Sequence, residues 1–295
     1  MRRRILLTGA SGQLGYELAR SLGLLGDLIL LHRSELDMSE PLSVRRAIRQ
    51  VKPDWVVNTA AYMAVEAAEE NSRLVLAINT ESPTLAAEEL KKTGGLLIHF
   101  TTGYVFDGSK KQAYVETDTP NPINSYGQSQ WLAEQGIAAS GCDYLLLRTG
   151  WRYSLRRANF VLGMKNRLPC EQEIRVVDDQ LGNPVWVRHA AEAVLALLSR
   201  EAWHNGYVRE HRGLYHLGSS GEASWFDLAR EISSILGKGG CRTLAHLVPV
   251  STVEQGSKVM RPLNSMLDSR KFEQDFGIRL PAWQLALEQC MSEAE

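Results

Sequence analysis

The first fifteen residues constrain the fold most. Ile5-Leu6-Leu7 is a short apolar run that leads straight into Thr8-Gly9-Ala10-Ser11-Gly12-Gln13-Leu14-Gly15, and a helical pattern through Leu18, Leu22 and Leu25 follows. Glycines spaced G-x-x-G-x-x-G let a backbone turn sharply and approach a pyrophosphate, whose charge then sits on the N-terminus of the helix. Three glycines alone carry little weight, because a plain tight turn has the same composition. A strand before them and a helix after them make Gly9–Gly15 a dinucleotide-binding signal.

The next 135 or so residues continue the rhythm. Leu28–Leu31 reads as a second strand ending in His32-Arg33-Ser34. An acidic residue there suits the ribose of NAD, whereas Arg33 suits the extra phosphate of NADP, unless it is simply solvated. Leu36-Asp37-Met38 follows, placed to cover an adenine, and Ser43–Val51 reads as a helix closed by Pro53. Trp55-Val56-Val57 is a third strand, and it leads to the small residues Thr59, Ala60 and Ala61, then Tyr62 and Met63. Small residues at a strand end permit either a flat cofactor or tight strand–helix packing. Leu74–Leu90 reads as one long helix carrying Asn79. Leu96–Phe100 and Leu145–Leu147 are the fourth and fifth strands. Strands alternating with helices imply a Rossmann-type doubly wound parallel sheet in the α/β class.

Beyond Trp151 the rhythm weakens. Glu173–Val177 reads as a strand, Asp178–Pro184 as turns, His189–Leu198 as a helix, Gly213–Leu217 as a strand and Trp225–Leu236 as a helix. Arg261–Ser265 reads as a loop, followed by a segment with Phe272, Phe276 and Trp283. The expected organisation is a dinucleotide-binding domain over 1–150 with a returning segment near 185–215. A smaller, interleaved α/β substrate lobe takes 151–184 and 216–295.

The chemistry gathers in Thr101–Glu134. Thr102 falls at the carboxyl end of the fourth strand, and Tyr126 opens a helical segment. A hydroxyl and a phenol meeting at a strand end suit carbonyl reduction, with the phenol giving a proton to the carbonyl oxygen while a hydride attacks the carbon. A tyrosine used in this way normally has a cation one helical turn on, and that position is Gln130, which is neutral.

Composition excludes several other classes. A formal net charge of -1 gives no reason to expect nucleic acid or an acidic membrane surface. No run approaches the ~18 apolar residues of a membrane span. Arg2-Arg3-Arg4 precedes too short an apolar run for a signal peptide. Cys142, Cys170, Cys241 and Cys290 are scattered without a C-x-x-C pair, which argues for a reducing, cytoplasmic compartment and against zinc.

Together the motifs resemble the extended short-chain dehydrogenase/reductase family, and within it the dTDP-4-dehydrorhamnose reductase branch. The resemblance spans nearly the whole chain. It rests on Thr8–Gly15, Asn58–Tyr62, Tyr104–Gly108, Glu116–Gly127, Arg148–Trp151, Asp179–Pro184 and Arg261–Ser265. It implies NADPH-dependent reduction of a 4-keto-6-deoxy sugar nucleotide, with NADH as the second cofactor to consider. Tyr126 is then the proton donor, with Thr102 and Gln130 the other catalytic positions. Thr102, Gly103, Trp151 and Arg261 lie along the substrate. The resemblance also implies that Gly9, Ser11, Gly12, Gln13, Leu14, Gly15, Asp37, Met38, Ala60, Ala61, Tyr62 and Asn79 hold the cofactor, in addition to Arg33. Trp151 reads equally well as a core residue and Arg261 as an ion-pair partner.

The departures from the family pattern fall where the chemistry belongs. Gln130 replaces its lysine, Gly103 an aspartate and Met63 a threonine. Some members join subunits through a metal held by acidic residues; Glu17 matches one such position but Arg188 stands at another, so no metal is expected. A homodimer is compatible with the resemblance. A second reading is a non-catalytic dinucleotide- or nucleotide-sugar-binding protein that regulates a protein partner, as the β subunit of methionine adenosyltransferase, which resembles the same family, does.

Overall fold

The structure, a computed structural model, describes residues 2–31, 34–204 and 206–293. In chain order the strands are β1 (Arg3–Thr8), β2 (Gly26–Leu30), β3 (Trp55–Asn58), β4 (Leu96–Thr102), β5 (Asp143–Thr149) and β6 (Trp151–Tyr153). They continue with β7 (Glu173–Val177), β8 (Leu181–Gly182), β9 (Pro184–Trp186), β10 (Gly213–Leu217), β11 (Ala223–Ser224) and β12 (His246–Val250). The helices of the first half are α1 (Gln13–Ser21), α2 (Pro41–Val51), α3 (Val65–Glu70), α4 (Ser72–Leu76), α5 (Ser82–Thr93) and α6 (Ser125–Ser140). Those of the second half are α7 (Phe160–Arg167), α8 (Val187–Trp203), α9 (Tyr207–Glu210), α10 (Trp225–Lys238), α11 (Thr252–Gln255), α12 (Arg270–Phe276) and α13 (Trp283–Ser292).

Six strands form one parallel sheet in the order β10-β5-β4-β3-β1-β2. Its central strands are continuous apolar runs because helices cover both faces. Side chains alternate across the sheet. Ile5 and Leu7 of β1 join Leu14 and Leu18 of α1 and Val194 and Leu197 of α8 on one face. Leu6 joins Val44 and Ile48 of α2, Leu90 of α5 and Ile137 of α6 on the other. Each such side chain contributes roughly 1.5–3 kcal/mol on burial. From β1 the chain runs outward to β2 and then crosses back to β3 on the other side of β1. The strand order therefore reverses between β1 and β3, and a crevice opens there at the carboxyl ends.

A second core lies beyond β6, where Tyr153, Met164, Ile174, Trp186, Ile232 and Leu287 pack together. Small sheets border it: β7 pairs with β12 and β6 with β9 in parallel, and β8 pairs with β11 antiparallel. The sequence reading passed over β12 because Pro249 interrupts it; in a two-stranded sheet the missing N–H can face away from the partner. It also read 178–184 as turns, where the structure has the short strand β8. The segment 270–276 leaves this lobe, since Phe272 and Phe276 of α12 pack in the core of the large sheet.

The expected single helix 74–90 is α4 and α5 joined by a widened π turn at Ala77–Glu81. The extra residue in that turn presses Asn79 inward, to 1% exposure. Its side-chain oxygen accepts from Tyr62 N at 2.7 Å, and its amide donates to Tyr62 O at 3.1 Å and Ser129 Oγ at 2.9 Å.

Candidate active site

The glycine turn lies at the carboxyl end of β1, beneath the crevice. Gly9 has φ +73°, and a Cβ there would stand 2.7 Å from Ala60 N. A Cβ on Gly15 would stand 2.1 Å from the carbonyl oxygen of Gly9. Glycine is thus required at the first position by conformation and at the second by close approach of helix to loop. Gly12 is the N-cap of α1 and supplies no side-chain cap, so the first amides of the helix remain available to an anion. A cavity of about 680 Å³ is lined by Gly9, Ser11, Gly12, Gln13, Leu14, Gly15, Asp37, Met38, Ala60 and Ala61. Asp37 holds its loop in place by accepting from Ser39 N at 2.9 Å and Ser39 Oγ at 2.7 Å. This cradle of glycines and open amides fits a dinucleotide diphosphate.

Two residues expected on the cofactor do not line this cavity and are engaged within the protein, and a third falls outside the described residues. Asn79 spends its amide on Tyr62 and Ser129. Tyr62 packs against the cluster of Ala68, Val75 and Tyr126. Arg33 lies outside the described residues. We expect Gly15→Ala to weaken NADPH binding about 10- to 100-fold, because overpacking against backbone costs ~1–3 kcal/mol. Calorimetry checks this, and unchanged affinity would mean that the loop does not carry the cofactor.

A second cavity, of about 400 Å³, adjoins the first and shares Gln13, Met63 and Arg152 with it. Thr102, Tyr104, Tyr126, Thr149 and Trp151 also line it. Tyr126 is placed by the local sequence. Asn124 caps α6, its side-chain oxygen accepting from Gly127 N at 2.8 Å while its amide donates to Met260 O at 3.0 Å. Glu69 of α3 accepts from Ser125 N at 2.8 Å and Ser125 Oγ at 2.7 Å. A Cβ on Gly127 would stand 2.1 Å from Tyr104 O, so α6 begins hard against the turn that follows β4. The rings of Tyr126 and Tyr104 meet edge to face, 5.9 Å apart at 76°. Burial pushes the Tyr104 phenol up to about 12, so it stays protonated beside Tyr126. Thr102 Oγ1 accepts from Tyr104 N at 3.2 Å.

A buried fork holds α6 to the sheet. Arg148 of β5 donates to Glu134 of α6 through Nε at 2.9 Å and Nη2 at 2.6 Å. Thr101 Oγ1 adds a bond of 2.5 Å to the same carboxylate. Behind the fork, His216 is pushed down to about 3 by burial and then by Arg148. His99, bonded through Nδ1 to Asn58 Nδ2 at 2.9 Å, is pushed down to about 3 by burial and then by Arg152. Both imidazoles are therefore neutral when folded and ordinary, near 6.5, when unfolded. Between those values the unfolded chain binds more protons. The stability due to the neutral rings is present above 6.5 and is lost as pH falls towards 3. The urea midpoint should accordingly drop between pH 7 and pH 5; a constant midpoint would contradict it.

The remaining expected residues divide. Gln130 is 1% exposed, and its Oε1 is buried without a hydrogen-bond partner. Gly103 does not line the cavity: a Cβ there would stand 2.7 Å from Ser265 O, so the position is set by the loop packed on it. Trp151 stacks on Trp225 with centroids 3.7 Å apart and planes at 9°, in space that Gly182 leaves open. Arg261 pairs with Glu66. These two residues, Trp225 and Phe160 also border a third cavity of about 740 Å³, into which Arg167, Arg175 and Lys258 project. Sequence reasoning missed Trp225, Arg152 and the Arg148–Glu134 fork. Glu17 forms an ion pair of 3.1 Å with Arg188.

A doubly wound sheet with a glycine cradle at its switch point, and a tyrosine and a threonine lining the cavity that adjoins it, defines a short-chain dehydrogenase/reductase-like fold. The model of the RmlD substrate binding domain family matches residues 3–295, and the chain belongs to that family. It is 39% identical to the dTDP-4-dehydrorhamnose reductase of Burkholderia thailandensis, over 98% of each chain. It is 34% identical to the enzyme of that name from Escherichia coli K12, over 98% of this chain and 97% of the relative. The crystal structure of dTDP-4-dehydrorhamnose reductase from Bacillus anthracis in complex with NADP superposes with a TM-score of 0.88 at 29% identity, covering 99% of this chain and 100% of that one. Among the described residues no helix is long and apolar enough to cross a membrane.

Proposed function

We propose that the chain reduces the 4-keto group of a dTDP-4-keto-6-deoxyhexose, with NADPH as reductant, in the step that yields dTDP-L-rhamnose. The observation that carries this is one cavity joining three chemistries. Tyr126 and Thr102 line it, the glycine cradle adjoins it on one side, and a basic, tryptophan-bordered cavity adjoins it on the other. When bound, the reduced nicotinamide supplies a hydride. Tyr126 gives its phenolic proton to the ketone oxygen as the carbon receives that hydride, so the ketone becomes a secondary alcohol and the phenolate is reprotonated from water. Thr102 hydrogen-bonds the same oxygen and orients it. Trp151 packs on the sugar, and Arg261 with the neighbouring cations takes the diphosphate end of the substrate. Arg33 selects NADPH over NADH.

Purified protein should oxidise NADPH when given the keto-sugar nucleotide, and NADH more slowly. No oxidation of either cofactor at millimolar substrate would overturn the reductase reading and leave the binding-protein reading. A preference for NADH would remove the role of Arg33 alone.

A further inference from the structure

The tyrosine of this site lacks a charged neighbour on its own helix. Gln130, one turn along α6, is neutral, and its buried Oε1 has no partner. A cation is nevertheless close by, on a different element. Arg152 of β6 lines both the cradle cavity and the tyrosine cavity, so it stands where the two meet. Its Nη2 lies 3.3 Å from Met63 Sδ, a soft and weak acceptor, and among the described residues no carboxylate pairs with it. Arg261, the other guanidinium on this cavity, is by contrast neutralised by Glu66. The charge of Arg152 also reaches the sheet beneath, where it helps hold His99 neutral. The charged and titratable groups that line the cavity with Tyr126 are Tyr104, Tyr153, Glu66 of α3, Arg261 and Arg152.

We propose that Arg152 supplies the positive charge that stabilises the Tyr126 phenolate, a task left open on α6 by Gln130. The inference rests on the reductase reading for its purpose. As the phenol gives up its proton, negative charge develops on Tyr126, and an opposite charge facing it favours the ionised form. A guanidinium suits this because it stays charged throughout the working range of pH. Exchanging the usual helix-borne cation for one on β6 keeps the field at the phenol and changes only the direction from which it acts.

The test is an ultraviolet difference titration of the phenols, with the Tyr126→Phe spectrum subtracted to isolate Tyr126. It needs no substrate and no turnover. Arg152→Gln should lower the ionisation constant of Tyr126 about tenfold or more, the equivalent of one pKa unit. Arg152→Lys should stay near the parent, and adding Gln130→Lys to Arg152→Gln should restore the parent value. In the active enzyme the same substitution should cut kcat with little change in KM for NADPH, and Gln130→Lys should rescue it. A Tyr126 titration unmoved by Arg152→Gln overturns the proposal, whether or not the protein turns over. If NADPH affinity falls while the titration is unmoved, Arg152 belongs to cofactor binding instead. Failure of the parent to oxidise NADPH refutes the reductase reading alone, because the titration still decides the role of Arg152.

Discussion

Tyr126→Phe should lower turnover of NADPH with the keto-sugar nucleotide by about 10²–10⁴, the usual contribution of one general acid. Tyr153, which also lines the cavity, is pushed well above the usual phenol range by burial, which leaves Tyr126 as the proposed donor. Its neighbour Tyr104 is pushed up to about 12 by burial. Thr102 is a weaker acid, and its oxygen already accepts from Tyr104 N. The ring of Tyr126 is 5% exposed and packed with Ala68 and Val75, so removing one oxygen leaves that packing in place. NADPH affinity should therefore hold, which separates lost chemistry from lost structure. Steady-state kinetics beside calorimetry checks it. Activity within a fewfold of the parent would move the proton donor elsewhere and remove the reason for placing Tyr126 at the centre of the site.

Arg148→Ala should destabilise the protein by about 3–5 kcal/mol, the cost of leaving one partner of a buried ion pair uncompensated. The Arg148 and Glu134 side chains are 2% and 6% exposed. Arg148 meets the carboxylate with two nitrogens, and without it Glu134 would retain Thr101 as its hydrogen-bond partner. Replacing both members by apolar residues, Arg148→Met with Glu134→Leu, should recover most of the loss, since the penalty comes from the stranded charge. Urea denaturation of the parent and the two variants tests this. A loss below about 1 kcal/mol for Arg148→Ala, typical of exposed pairs, would show that water reaches the fork. Because α6 carries Tyr126 and Gln130, the single variant should also lose activity out of proportion to its folded fraction.

Much of the architecture is legible in the sequence alone. The apolar runs that became β1, β3, β4, β5 and β10 are bounded by turn residues, and the covered faces of a parallel sheet leave no polar alternation to confuse them. The glycine turn was legible because its spacing serves the backbone itself. The strand β12 was not, since a proline and a lone partner remove the usual signals. The widened turn at Ala77–Glu81 was equally hidden, because it depends on Asn79 finding Tyr62 and Ser129 across the fold. Arg152 lay one residue past a recognised motif, and nothing in its sequence neighbours shows that it stands between two cavities.

By itself the sequence determined the doubly wound class, the glycine turn after β1, and the residue types along α6, including the neutral Gln130 one turn after Tyr126. These follow from local spacing, which acts over a few residues and can be read along the chain. Tertiary structure alone decided which groups share a space. It set Gly103 against a backbone carbonyl instead of the cavity, turned Asn79 into a clamp, stacked Trp151 on Trp225, and placed Arg152 on the lining of two adjoining cavities. Those outcomes rest on contacts between segments tens to more than a hundred residues apart, where close packing and the cost of burying charge, rather than local preference, choose the partner.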